Sequence, residues 1–168
     1  MVVTFVGADR PGLVDRLATV VASAGGNWEA SRMERLAGRF AGIVEISVPL
    51  ESATGLDRAL QELGRGEGLT LALDRGTDTP PVGERHIHLE VTAADRPGIV
   101  RDLARVLALR GANIDQLETR CEGAPHSGEA MFQASMNVRI PHSLTAEVVI
   151  AALEELADEL VIDLSVRV

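Results

Sequence analysis

The residues of this chain that could do chemistry come in two matching sets. Asp9, Arg10, Pro11 and Gly12 stand in GADRPGLV, and Asp95, Arg96, Pro97 and Gly98 stand in AADRPGIV. Each set sits where an alternating strand pattern gives way to a helical one. A helix N-terminus carries free N–H groups and the positive end of the helix dipole, so it can hold a carboxylate without a cationic side chain. The donors here are the amides near Gly12, Leu13, Gly98 and Ile99. A purely structural account also exists, in which Asp or Arg caps the helix, Pro fills its first turn and Gly allows close packing. A second signal accompanies each set, the Gly-x-Asn turns GGNW at 25–28 and GANI at 111–114. Their bland reading is a helix C-cap. Asn27 and Asn113, however, each offer an acceptor and a donor pair, which suits an α-amino and an α-carboxyl group presented together. Asp9 and Asp95 could add an anionic partner for the ammonium.

Other candidate chemistry is thinner. His86, His88 and Glu90 alternate, so all three share one face of a strand, and paired histidines can hold a metal. No further ligands at suitable spacing accompany them, and a polar outer sheet face explains them as well. Cys121 has no activating neighbour in sequence, and His126 and His142 are scattered. Trp28, beside Asn27, reads as core packing. No nucleophile with its base and no paired carboxylates stand out, so the expectation is no catalytic residue, no metal and no cofactor.

The elements that must position these groups are themselves repeated. GADRPGLVDRLATVVASAGGNW at 7–28 matches AADRPGIVRDLARVLALRGANI at 93–114, 86 positions on. Phe40 to Pro49 realigns with Phe132 to Pro141 after six extra residues, around CEGAPHSGE. Such self-similarity implies two copies of one unit. In each, an alternating strand leads to an amphipathic helix (Leu13, Val14, Leu17, Val20, Val21; then Ile99, Val100, Leu103, Val106, Leu107). Two strands come next, near 27–36 and 39–48, then 113–121 and 130–140. A second helix succeeds them, with Thr54 and Ser143 as expected N-caps, and a last strand closes the unit. The order βαββαβ predicts an α+β fold, two ferredoxin-like domains with an antiparallel sheet and both helices on one face. The expected boundaries are residues 1–74, a linker at 75–84 rich in Pro, Gly and charge, and residues 85–168.

Composition narrows the function classes. The chain has 168 residues, 46% hydrophobic and 24% charged, the make-up of an ordinary folded protein. Its net charge of −9, with scattered arginines and no lysine, argues against a nucleic-acid surface. No apolar run approaches the ~20 residues that cross a bilayer, and the single Cys121 calls for no oxidising compartment. The expectation is a cytoplasmic protein.

On the residues Asp9-Arg10-Pro11-Gly12 with Gly25-Gly26-Asn27-Trp28, and their copies at 95–98 and 111–114, the chain resembles a tandem pair of ACT domains, small-molecule-sensing regulatory modules. The stretch GGNWEASRMERLAGRFAGIVEISVP after the first turn makes it similar, within that family, to free-standing transcriptional repressors of glycine cleavage. The resemblance implies amino-acid ligands where paired domains meet. One site would join Asp9, Arg10, Gly12 and Leu13 with Asn113, the other Asp95, Arg96, Gly98 and Ile99 with Asn27. It further implies regulation without catalysis, glycine or serine as ligand, and action through a separate DNA-binding regulator or enzyme. The alternatives are an interaction module or enzyme regulatory subunit with no ligand of its own, and the sensing part of a larger enzyme. Further pairing into a homodimer stays open.

Overall fold

The computed structural model describes residues 1–75, 84–123, 130–160 and 163–167, and the side chains of these except for residues 84, 157–160 and 163–167. Most of the expected linker, His126 and Glu129, and residues 161, 162 and 168 of the last expected strand lie outside the described residues. The chain divides into two compact units, Met1–Thr79 and Pro80–Val168.

The first unit runs β1 (Val2–Ala8), α1 (Leu13–Ser23), β2 (Asn27–Leu36), β3 (Arg39–Ser47), α2 (Leu50–Glu67) and β4 (Thr70–Asp74). Its sheet order is β2-β3-β1-β4, every pair antiparallel. Strand β1 is central, and its period of two sends Val3 and Phe5 into the core while Thr4 and Val6 stay exposed. Leu17 and Val21 of α1, Leu56 and Leu60 of α2, and Val44 and Ile46 of β3 close over Val3 and Phe5. Trp28 packs half-buried against that cluster, as its place in the sequence suggests.

The second unit repeats the plan with β5 (Glu84–Ala94), α3 (Ile99–Ala108), β6 (Asn113–Gly123), β7 (Ala130–Pro141), α4 (Ala146–Leu160) and β8 (Asp163–Arg167), in sheet order β6-β7-β5-β8. Ile87, Leu89 and Val91 face the helices, with Leu103 and Leu107 of α3 and Val149 and Leu153 of α4 above them. At equivalent positions of the two first helices Val14 and Val100 turn outward, 43% and 41% exposed, so the buried stripe is narrower than the run of apolar residues.

The helix starts differ from those the local signals predict. Thr54 lies inside α2, which begins at Leu50 with Pro49 as its N-cap. Proline lacks the N–H that a helix start leaves idle, so it opens the helix without a side-chain oxygen. Ser143 stands three residues before α4, whose first residue, Ala146, directly succeeds Thr145. Thr145 bonds to the Glu147 carboxyl and helps hold it below its usual range, behind a larger contribution from Glu147's own backbone. Among the described residues no helix is long and apolar enough to cross a membrane.

Two backbone positions on the β2–β3 ribbon carry opposite stresses. Ala37 and Gly38 form its two-residue turn at φ 48° and 76°, the pattern that favours Asn-Gly and costs an alanine about 1 kcal/mol. Gly42 faces the core, where an added Cβ would fall 2.7 Å from ring carbons of Phe5 and from Cγ of Met33. Ala37→Asn is therefore expected to raise the stability of the first unit by about 0.5–1 kcal/mol, and Gly42→Ala to lower it by about 1–3 kcal/mol. Urea unfolding followed by fluorescence of Trp28, the only tryptophan and a reporter of the first unit, measures both.

Candidate ligand-binding turns

Both ADRPG turns are built alike. The chain leaves β1 at Ala8 and β5 at Ala94, and enters its helix through Gly12 at φ 84° and Gly98 at φ 95°. A left-handed N-cap suits glycine best, because a Cβ there crowds the backbone. Neither helix has a side-chain cap. The purely structural account of the turns is corrected on this point: neither Asp nor Arg caps the helix, and Pro11 and Pro97 precede the glycine cap rather than filling the first helical turn. The first-turn amides are thus left without a side-chain acceptor, which is the condition for anion binding.

The side chains around the turns differ. Leu13 and Ile99 are each 2% exposed and belong to the core, so only their amides are candidates. Asp9 is bound by Arg35 of β2 at 2.9 Å, which occupies the carboxylate that was expected to meet an ammonium. Asp95 instead lies beside Cys121, whose thiol is raised by desolvation and then by that carboxylate, the direction that keeps it protonated and unreactive. Arg10 is exposed and makes no ion pair among the described residues. Arg96 is tied down, with Nη2 2.9 Å from Oδ2 of Asp102 and Nη1 3.2 Å from the Pro97 carbonyl.

A swap of two neighbours explains that contrast. Asp15-Arg16 in α1 becomes Arg101-Asp102 at the equivalent place in α3. In the first unit Arg16 folds back to the Pro11 carbonyl at 3.1 Å and also reaches Glu67 at 3.3 Å. In the second, Asp102 draws in both Arg96 and Arg101, and hydrogen bonds from these arginines hold its carboxyl below the usual range. A guanidinium lies over the glycine cap in both, from Arg16 and from Arg101. Cations near a helix N-terminus oppose its dipole and gain when an anion arrives. Local sequence reasoning does not single out Arg16, Arg101 and Asp102 as site residues, although arginine in a first helical turn, where acids are favoured, is a readable anomaly.

The asparagines are also engaged. Asn27 Nδ2 donates to Glu29 Oε1 at 3.1 Å, and Asn113 Nδ2 donates to Asp115 Oδ1 at 2.7 Å. Ser47 adds a short bond to the same Glu29 oxygen, and with Asn27 it lowers the Glu29 pKa. A β-bulge comes after each asparagine, between Trp28 and Ala30 and between Ile114 and Gln116, and the irregular backbone brings the carboxylate within reach. With one amide hydrogen committed to a carboxylate, each asparagine offers its carbonyl oxygen as an acceptor, and beside that carboxylate the pair suits a cation.

His86, His88 and Glu90 do share a face, and each histidine finds a protein partner. His88 Nδ1 lies 2.8 Å from Asn137 Oδ1, and His86 Nε2 lies 3.5 Å from Asp115. Among the described residues no group of His, Cys, Asp and Glu could hold a metal ion. A groove of about 390 Å³ between α1 and α2 is lined by Val20, Ser23, Gly55 and Ala59 among others, without a charged group.

Known proteins repeat this plan. One ACT-domain model matches residues 1–74 and another ACT-domain model matches residues 87–158. Over 161 residues the chain is 28% identical to the glycine cleavage system transcriptional repressor of Escherichia coli K12, covering 95% of this chain and 85% of that protein. A crystal structure of an unknown protein from Galdieria sulphuraria is 32% identical, with a TM-score of 0.87 over 99% of this chain and 95% of that one. A candidate repressor of the same description, 20% identical with a TM-score of 0.71 and covering 99% and 94% of the two chains, shows the shared fold.

The Asp102 pair sets a pH dependence. Its carboxyl titrates lower when folded than when unfolded, so its contribution is present above the unfolded value, near pH 4, and is lost as pH falls through the folded value. Melting temperatures of the wild type and Asp102→Asn from pH 7 to pH 3 are expected to differ most at neutral pH and to converge below about pH 4.

Proposed function

The chain belongs to the ACT-domain family through both of its halves, and from that premise we propose that this regulatory protein is a non-catalytic sensor of a small amino acid. It binds the amino acid at its ADRPG turns and passes the signal to a partner protein. The observation that carries the reading is the pair of helix N-termini entered through left-handed glycines and left without a side-chain cap. Such a terminus takes the α-carboxylate, and an asparagine held by its neighbouring carboxylate takes the α-ammonium.

The relative's description as a repressor of glycine cleavage supports glycine, or the closely related serine, as ligand. It also supports control of that system's expression as the output. A net charge of −9 favours control through a DNA-binding partner over direct contact with DNA. The ligand acts by binding one arrangement of the protein more tightly than another, since equal affinity would shift nothing.

The two turns are unequal sensors in this scheme. Arg10 is free to meet the carboxylate, whereas Arg96 must first leave Asp102. Calorimetry across the twenty amino acids is expected to show selective binding of glycine or serine. A ligand at 100 times its dissociation constant raises stability by about 2.7 kcal/mol. Arg10→Ala is expected to weaken the tighter site by about 10-fold, the value of one charge-assisted hydrogen bond, and Arg96→Ala to change it little. Asn27→Ala and Asn113→Ala test the ammonium side. A flat response to every amino acid would leave the turns as structural devices and the chain as an interaction module.

A further inference from the structure

Given the amino-acid reading above, on which this step rests, we propose that the two asparagine corners differ in what they demand of a ligand. Glu29, with Asn27 and Ser47, is the corner that requires an ammonium group. Asp115, with Asn113 and Arg139, does not require one. The residue opposite the asparagine, Ser47 or Arg139, decides between the two.

The corners are equivalent in backbone. Glu29 and Asp115 each stand two residues after the asparagine, at a β-bulge. Directly opposite the asparagine on the neighbouring strand stands Ser47 in the first unit and Arg139 in the second. That difference sets the charge of the corner.

In the first unit both groups that bond to Glu29 are uncharged. Asn27 Nδ2 and Ser47 Oγ donate to the same oxygen, Oε1, so Oε2 is left to an incoming donor. The bonds from Ser47 and then Asn27 hold the carboxyl below its usual range, which keeps it ionised at neutral pH. An ionised carboxylate beside an asparagine carbonyl matches an ammonium, which carries donors and no acceptor. A site built to accept hydrogen bonds from a ligand N–H rejects the analogue that lacks it, because its own polar groups are then left unpaired.

In the second unit a cation has already taken that place. Arg139 Nε lies 3.2 Å from Asp115 Oδ1, the oxygen that also accepts from Asn113, and His86 Nε2 lies 3.5 Å from Oδ2. A guanidinium is always charged, and with its side chain 23% exposed it is screened less than a fully solvated one. An arriving ammonium would meet a like charge beside a carboxylate that is already compensated, and like-charge juxtaposition is costly. A carboxylate ligand without an ammonium meets no such repulsion there.

Calorimetry of the full chain with glycine and with glycolate, in which a hydroxyl replaces the ammonium, tests this. The wild type is expected to prefer glycine. Glu29→Gln should lower the ratio of glycine to glycolate affinity by about 10-fold, the value of one charge-assisted hydrogen bond. Ser47→Arg, which copies the second unit, should lower it in the same direction, and both side chains are exposed, so neither change touches the core. Arg139→Ser, the reciprocal exchange, should raise the ratio. A preference for glycine that Glu29→Gln and Ser47→Arg leave unmoved, or that Arg139→Ser fails to raise, overturns this assignment and leaves the amino-acid reading standing. A wild type that binds neither compound nor any other amino acid overturns both.

Discussion

The turn from sheet to helix layer is the constraint on which the rest is built. Strands β1 and β5 are central and must deliver the chain from the sheet end into a helix that returns over the core. The chain turns over Asp9–Gly12 and Asp95–Gly98 and enters each helix through a left-handed glycine, at φ 84° and 95°. The cost is conformational, since glycine loses more freedom on folding than any other residue. The outcome is a helix whose first amides are placed at the sheet end with no side chain close enough to cap them. The same geometry that lets Leu13 and Ile99 enter the core leaves their N–H groups available. Packing and ligand chemistry are therefore not competing explanations of ADRPG, because the packing solution creates the binding opportunity.

Duplication has kept that backbone and changed its electrostatics. Exchanging Asp15-Arg16 for Arg101-Asp102 alters no helix and no core residue, yet it decides whether the arginine of the turn is free or held. Arginine's planar fork makes the difference large, since Asp102 can engage two guanidinium groups through its two oxygens. The turn arginine is thus exposed in one copy, at Arg10, and held by a neighbouring carboxylate in the other, at Arg96.

Much of this was legible in the sequence. The period of 86 announced the duplication, Leu17, Val21, Leu103 and Leu107 announced helices with one buried stripe, and Ile87, Leu89 and Val91 announced a strand with one wet face, as found. The positions Gly12, Gly98, Asn27 and Asn113 were identified from local chemistry alone. Their partners were not. Arg35 reaches Asp9 across a hairpin, and Glu67 reaches Arg16 from the far end of α2, contacts that local spacing does not encode. The caps failed for a related reason: Thr54 and Ser143 have the right chemistry, but the helix start is set by where the buried stripe begins, at Ala53 and Leu56 in α2, and tertiary packing outweighs a cap worth about 1 kcal/mol.

The bulge after each asparagine has a consequence for inheritance. Side chains of a strand alternate, so losing one residue between Asn27 and Met33 would carry Met33 out to the solvent side of β2 and bring a charged neighbour, Arg32 or Glu34, toward Phe5. The extra residue is a phase marker that descendants of the duplicated gene must copy without change in number. Length drifted elsewhere: Asn113 and Phe132 stand six residues further apart than Asn27 and Phe40, while the spacing from turn to asparagine is the same in both copies.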